Sequence, residues 1–442
     1  MAVRIQRTPS SSGSNSKFTF SAWVKRGTLG ALSPMFSAGS SGQSQIVFDA
    51  QDELGVYDGG TVVLETNRLF RDTSAFYHIV VTLDATQSGT DKAKLYVNGV
   101  QETSFKTDGR SSFSSLAKAN QSGEVQDIGS DGTGNFLGLM THVHMTDNYA
   151  YPASTFGETD STSGIWKPKT APSVTYGTNG FFLKFENSGN LDLDSSSNGH
   201  TFSTTGTLTQ NVDTPSISYN TLSPIAYSTS GVTLSNGNTS FNSGSTVQYA
   251  FAIPSFALNK GRWYFEAKIG HTCAGLYIGD TNQVIEAVRN STRIGVGSQQ
   301  YSWECNGNFQ NNNSQTSYGS TASANDIIGM FVDLEDNKLY IAVNGTIQNS
   351  GTGFSITDPD STETGFYYVG GIADQCGATA NVTADMNYGG GKFGTTAVSS
   401  AQSDANSQGV FEYSPNQGGA SNFDSAAKNF YALNTKNIKE FG

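Results

Sequence analysis

The chain has little of what a disulfide scaffold, a membrane protein or a nucleic-acid binder needs. Only three cysteines, Cys273, Cys305 and Cys376, occur in 442 residues. They are too few and too scattered for a disulfide framework and lack metal-ligand spacing, so they are expected as small core or strand residues in a reducing compartment. No window approaches the ~20 apolar residues of a membrane span, and Met1 to Ser16 lacks the apolar core of a secretory signal. A chain made in the cytoplasm without a signal peptide, and not inserted in a membrane, is expected. Charged residues make up 14%, and a net charge of −12 repels a phosphate backbone, which excludes nucleic acid as a partner. No heptad stretch supports a coiled coil.

What is present is 50 Gly, 27 Phe and 19 Tyr, with Ser, Thr and Asn where a helical protein would carry Lys and Glu. This is an all-β composition, and the length allows two or three domains. One stretch occurs twice, KLYVNG at 94–99 and KLYIAVNG at 338–345. Each is an alternating apolar run ending in Asn-Gly, the dipeptide that tolerates both positive φ angles of a type I′ hairpin turn. Each follows an apolar strand ending in aspartate, FYHIVVTLD (76–84) and DIIGMFVDLED (326–336). The repeated unit, strand, turn, strand, Asn-Gly, strand, predicts two related antiparallel β-sandwiches.

In chain order, FTFSAWVKR (18–26) alternates Phe18, Phe20 and Ala22 against Thr19, Ser21 and Trp23, and short strands follow with Gly, Ser and Asp between them. FSAWVKR, LFRDTSAFYHIVVTLDATQ, KLYVNGV and FLGLMTHVHMTDN resemble the laminin G-like, concanavalin A-type lectin/glucanase domain, with Tyr77, His78, Asp84, Asn98 and Gly99 at that family's pattern positions. Residues 1–155 are assigned to this domain. Residues 156–215 form a Gly, Ser and Pro rich connector that carries Trp166 and an apolar GFFLKF strand, so it is expected to pack. Residues 216–390 resemble a SPRY domain: Trp263, Tyr264 and Glu266 match its WYFE opening, Tyr318 and Gly319 its YG pair, Asp326, Ile328 and Gly329 its D-x-I-G strand, and Asn344 with Gly345 its late turn. Residues 391–442 form a tail expected as a surface-packed terminus, with ALNTKNIKE as a possible docking segment. FGETDSTSGIWKPK, YGTNGFFLKF and LDLDSSSNGHTF, in this order between two sandwiches, resemble the connectors of tandem lectin-like proteins of tailed phages of marine bacteria.

Candidate chemistry follows from the same residues. The glucanases that resemble the first fold carry carboxylates as E-x-D-x-E or E-x-D-x-x-E; Glu158 and Asp160 are the nearest match, but Thr162 and Ser163 leave the third acid missing. No catalytic residue is therefore assigned, and no enzyme is expected. Asp192, Asp194 and Asn198 have the alternating oxygen ligands of a weak calcium site, although Thr205 replaces the expected bidentate Glu. Calcium is the one cofactor considered. His142 and His144 alternate on THVHM and could share a face, with zinc as the alternative to two strand histidines facing solvent or the connector. A sugar site needs aromatic faces and hydroxyl-binding groups, a mix offered by Tyr301, Trp303, Asn306, Asn308, Phe309, Asn311 and Asn312 in a predicted loop. Core aromatics and turn-forming asparagines are the alternative.

The resemblance implies a non-enzymatic virion structural protein of a tailed phage, of tail-fibre or receptor-binding type. It would be exposed on the particle surface, bind host envelope glycans, and assemble with other virion proteins and with copies of itself. A capsid decoration protein, a glycan-degrading enzyme and a peptide-binding SPRY adaptor are the alternatives.

Overall fold

In a computed structural model, the described residues are 3–40, 43–161, 163–227, 231–245, 249–376, 380–416 and 423–442. Part of the Gly and Ser rich tail, 417–422, lies outside them. The chain divides into two units, Met1–Ser216 and Ile217–Gly442.

The first unit is a sandwich of two antiparallel sheets. The eight-stranded sheet runs, edge to edge, through Phe105–Asp108, Thr61–Leu69, Glu53–Asp58, Ser44–Phe48, Ser33–Ala38, Gln126–Ile128, Arg4–Arg7 and Ser203–Thr205. The six-stranded sheet runs through Phe181–Leu183, Gly138–Met145, Lys17–Arg26, Tyr77–Asp84, Ala93–Val97 and Val100–Gln101. Period-two alternation sends Phe18, Phe20, Ala22 and Val24 into a core shared with Phe36, Ile46, Phe48, Ile79, Val81 and Leu95. The connector belongs to this sandwich, because it donates Ser203–Thr205 to one sheet and Phe181–Leu183 to the other. It also covers the outer face of the six-stranded sheet, where Phe156 packs on Val80 beside Ala153 and Trp166 joins the cluster. There His78 stacks on Trp23 (ring centroids 4.5 Å apart) and accepts a hydrogen bond from the Trp166 indole N–H at 3.0 Å.

The second unit packs an eight-stranded on a nine-stranded sheet around Trp263, Phe265, Leu276, Trp303, Phe309, Met330, Ile341 and Ile372. A helix, Thr281–Asn290, capped by the Asp280 carboxylate, lies against the outer face of the first of these sheets and buries Val284 and Ala287 beside Tyr277 and Phe251. The tail covers the other: Phe411, Phe423 and Phe430 form a second apolar cluster with Tyr264, Phe331 and Tyr340, and Tyr431–Ala432 pairs in parallel with Trp263 and Tyr264. ALNTKNIKE contributes to this layer and ends in the helix Thr435–Phe441, capped by Asn434.

The Asn-Gly hairpins form in both units, with φ of 50° and 83° at Asn98 and Gly99 and 47° and 78° at Asn344 and Gly345. One expectation is corrected: Cys273 and Cys376 form a disulfide with Cα atoms 5.3 Å apart. The residues lie 103 apart in sequence, and the antiparallel register Ala274↔Asp374 brings them together. Spacing alone could not show that. Cys305 is a buried free thiol, and burial pushes its pKa up to about 12.

Candidate functional site

The strands Ser44–Phe48, Glu53–Asp58 and Thr61–Leu69 send Ile46, Leu54, Val56 and Leu64 into the core, so the alternate positions face outward. On that outer face Gly55 lies opposite both Val47 and Glu65. The missing Cβ matters here, because a methyl group on Gly55 would come within 2.4 Å of the Tyr57 ring, which lies over it. A half-buried aromatic ring thus rests on the sheet surface. Around it stand Asp49, Glu53 and Glu65, which are 5%, 9% and 8% exposed. Burial, then the charges of Asp49 and Glu65, raise the Tyr57 phenol above its ordinary pKa.

Each carboxylate offers an oxygen within 4.8 Å of the other two. Asp49 Oδ1 accepts the backbone N–H groups of Gln51 and Glu53, both at 2.9 Å, whereas its buried Oδ2 has no partner among the described residues. Lys106 sits between the other two acids, its Nζ 2.7 Å from Glu53 and 3.4 Å from Glu65. The Glu53 hydrogen bond raises the Lys106 pKa. Irregular registers border the group on both sides, between Glu53 and Gly55 and between Phe105 and Thr107, and such bulges re-aim side chains at the edge of sites. These three acids are the residues that could hold a divalent cation, with Lys106 supplying the countercharge at present. For a sugar the setting is good: a ring face for C–H groups, carboxylate acceptors for hydroxyls, and an ammonium donor.

The residues singled out from sequence lie elsewhere. Trp303 and Tyr301 are core residues, 0% and 3% exposed, and cannot meet a ligand without unfolding the sandwich. The Tyr301 hydroxyl is engaged by Thr357, and the Phe309 ring stacks on Phe354. The predicted loop is a hairpin, Asn308–Asn311 with Ser314–Ser317, turning at Asn312 and Asn313, whose φ values are 48° and 54°. Asn306 and Asn311 hold backbone and neighbours in place: Asn306 Oδ1 accepts the Asn308 N–H at 3.0 Å, and Asn311 Nδ2 donates to the Ser298 and Gln300 carbonyls at 2.9 Å. The Asn308 side chain donates to Gln315, at 3.4 Å. Tyr301 and Trp303 are therefore corrected from loop to core positions, while Asn306, Asn308 and Asn311 lie at the surface of the hairpin.

The calcium candidates Asp192, Asp194 and Asn198 are engaged by backbone and side-chain groups around them. Asp194 spends both oxygens on its own loop, accepting N–H groups from Phe182, Ser196 and His200 at 2.8–2.9 Å. Asn198 Nδ2 donates to the Gly177 and Gly180 carbonyls, while Asp192 accepts from the Thr204 hydroxyl at 2.9 Å. Glu158 and Asp160 face Lys167 across a hairpin, at 4.0 and 2.7 Å. His142 and His144 both pack on the Phe182 ring of the connector, with ring centroids 5.8 and 3.8 Å away, although the register shifts between Thr141 and His144 and His142 takes a φ of 48°. His144 is buried against Phe182, with ring centroids 3.8 Å apart, and its Nδ1 lies 2.9 Å from the Tyr176 hydroxyl.

Residues 4–155 match the family model of the concanavalin A-like lectin/glucanases superfamily, and residues 262–385 match that of the SPRY domain. The chain carries a laminin G-like domain followed by a SPRY domain. No curated protein matches the chain. Among solved structures, the SPRY domain of human HERC1 aligns at 12% identity over 37% of this chain and 96% of that chain, with a TM-score of 0.30. The TRIM65 PSpry domain aligns at 12% identity over 38% of this chain and 91% of its own, with a TM-score of 0.29. A further human SPRY domain aligns at 9% identity over 36% and 96%, with a TM-score of 0.26. The Tyr57 group lies in the laminin G-like domain; the residues first expected to bind ligand lie in the SPRY domain.

Proposed function

We propose that the chain is a non-enzymatic adhesion protein that binds glycans on the outer face of its laminin G-like domain, around Tyr57. The observation that carries this is the ring of Tyr57 lying over Gly55 with Asp49, Glu53, Glu65 and Lys106 about it. A lectin-type domain supports a sugar ligand, and weak sites on an assembly of many copies gain avidity without a tight single site. The setting we propose is the surface of a tailed-phage particle, among other virion proteins and copies of this chain. The connector phrases support that setting. The Cys273–Cys376 disulfide suits a protein exposed outside the cell, where disulfides persist.

The test is binding of the purified chain to immobilised host-envelope polysaccharide. Tyr57→Ala should weaken binding about tenfold or more, since aromatic anchors dominate such sites, while leaving cooperative melting in place. Unchanged binding would move the site off this face. Release of reducing ends would replace adhesion with hydrolysis, and antibody labelling confined to phage heads would favour the decoration reading.

A further inference from the structure

Between the edges of the two sheets of the laminin G-like domain lies a cavity of about 350 Å³. One wall is the strand Arg4–Arg7 with the end of Gln126–Ile128, the other is Gly138–Met145, and connector residues from Lys184 to Pro215 close it. Ile5, Ile128, Phe136, Leu139, Met140 and Leu208 give it an apolar lining. Its volume falls in the range of small-molecule sites, and it lies well away in the fold from the Tyr57 strands.

Two features mark it as more than a packing gap. Of the bulky residues held at positive φ, His142 (48°) and Phe185 (62°) both line this cavity, one on each of two paired neighbouring segments. Left-handed backbone is costly for such side chains and persists where the surroundings impose it, commonly at binding sites. The charges around the cavity also pair among themselves: Arg4 lies 3.6 Å from Asp127, Lys184 3.8 Å from Glu186, and Lys25 2.7 Å from Asp213. Burial, the largest influence on His142, lowers its pKa and keeps the imidazole neutral at pH 7. Nothing in the lining therefore calls for a charged ligand.

We propose that this cavity is a second binding site, which takes a neutral, mainly apolar small molecule of aromatic or branched aliphatic type. It is independent of the glycan reading, because it uses different strands and a different chemistry. The connector completes the wall, so the site belongs to this chain's combination of domain and connector rather than to the sandwich alone.

The probe is the neutral dye phenylnaphthylamine, which brightens in apolar surroundings, added to the full chain. One dye per chain should bind saturably, and the melting temperature should rise with dye concentration, as binding to the folded state alone requires. Met140→Trp and Leu208→Trp fill the cavity from opposite walls, and each should weaken dye binding by about tenfold or more. Enhancement that never saturates, or saturable binding that both folded variants retain, overturns the proposal. If neither variant folds, the wild-type melting series decides: no upward shift at saturating dye overturns it equally. Glycan binding should be unmoved in the filled variants, so failure here leaves the Tyr57 site standing, and the reverse.

Discussion

Glu266 is a carboxylate that meets no cation among the described residues. It is fully buried on the strand Arg262–Ile269, and its oxygens accept from Tyr264 Oη (3.0 Å), Asn387 Nδ2 (3.2 Å) and the backbone N–H groups of Glu412 (2.9 Å) and Tyr413 (2.8 Å). It thereby clamps the C-terminal tail to the SPRY domain. Burial is the largest influence on it and outweighs the four donors, so its pKa rises from 4.5 to about 7. The folded protein then holds this proton more tightly than the unfolded chain does. Stability from this group is fully present below pH 4.5, falls as pH rises, and is lost above about pH 7. Between pH 5 and 8 the shift corresponds to roughly 2 to 3 kcal/mol. Glu266→Gln removes the titration; its amide also faces some donors with a donor, a cost that does not vary with pH. Guanidinium unfolding of the full chain, followed by tryptophan fluorescence at pH 5 and pH 8, should therefore show a pH-dependent loss larger in the wild type than in Glu266→Gln by that amount. Equal losses in the two proteins would refute the argument that burial, rather than the donors, governs this carboxylate.

Arg26 is buried against the Phe48 ring and donates to the Phe70 carbonyl at 2.7 Å, with Asp52 3.0 Å away. Arg26→Met should cost about 3 kcal/mol, the low end for breaking a buried pair because Arg71 remains on Asp52; a denaturation midpoint within error of wild type would count against it. Trp303→Ala should destabilise the SPRY domain by about 3 to 5 kcal/mol and leave glycan binding by the folded fraction unchanged. Selective loss of binding in a protein that melts normally would restore Trp303 as a contact residue. Replacing Cys273 and Cys376 by serine opens a loop of about 100 residues and should cost about 2 to 5 kcal/mol, seen as a lower melting temperature that reducing agent no longer alters.

The architecture was legible because it depends on local patterns. Phe18, Phe20 and Ala22 alternate as a half-buried strand must, and Asn98-Gly99 and Asn344-Gly345 are the residues a type I′ turn requires. The sites were not legible, because a site depends on which strands become neighbours. Glu53 and Glu65 are twelve residues apart and read separately as unremarkable charged strand positions; only the register that sets Gly55 opposite Glu65 joins them under Tyr57. The available signal was a pair of acids inside otherwise apolar strands, ELGVYD and TVVLET, with a glycine two residues before the tyrosine. Trp303 misled for the opposite reason: an aromatic beside asparagines looks the same in sequence whether its strand faces the core or water, and one residue of register decides. The disulfide and the bulge at His142 likewise depend on pairing between distant strands.

The repeated hairpin also explains which surfaces remain available. In both units a cation on the first strand meets the aspartate that ends the next, Lys17 with Asp84 at 3.1 Å and Arg262 with Asp333 at 3.0 Å. In both, the turn asparagine accepts a backbone N–H from the preceding strand, Asn98 from His78 at 2.7 Å and Asn344 from Ile327 at 2.9 Å. An aromatic ring then packs on each turn glycine, Trp166 of the connector on Gly99 and Tyr413 of the tail on Gly345. Two segments with no sequence likeness thus do one job, covering the outer face of the sheet that bears the hairpin. The helix Thr281–Asn290 packs against the outer face of the remaining SPRY sheet. Within the first unit, the connector residues that pack on Val80 lie over the six-stranded sheet, and Tyr57 stands on the outer face of the eight-stranded one. An acidic cluster there, with Asp49 Oδ2 unpartnered among the described residues, is a cost that the proposed glycan site would account for.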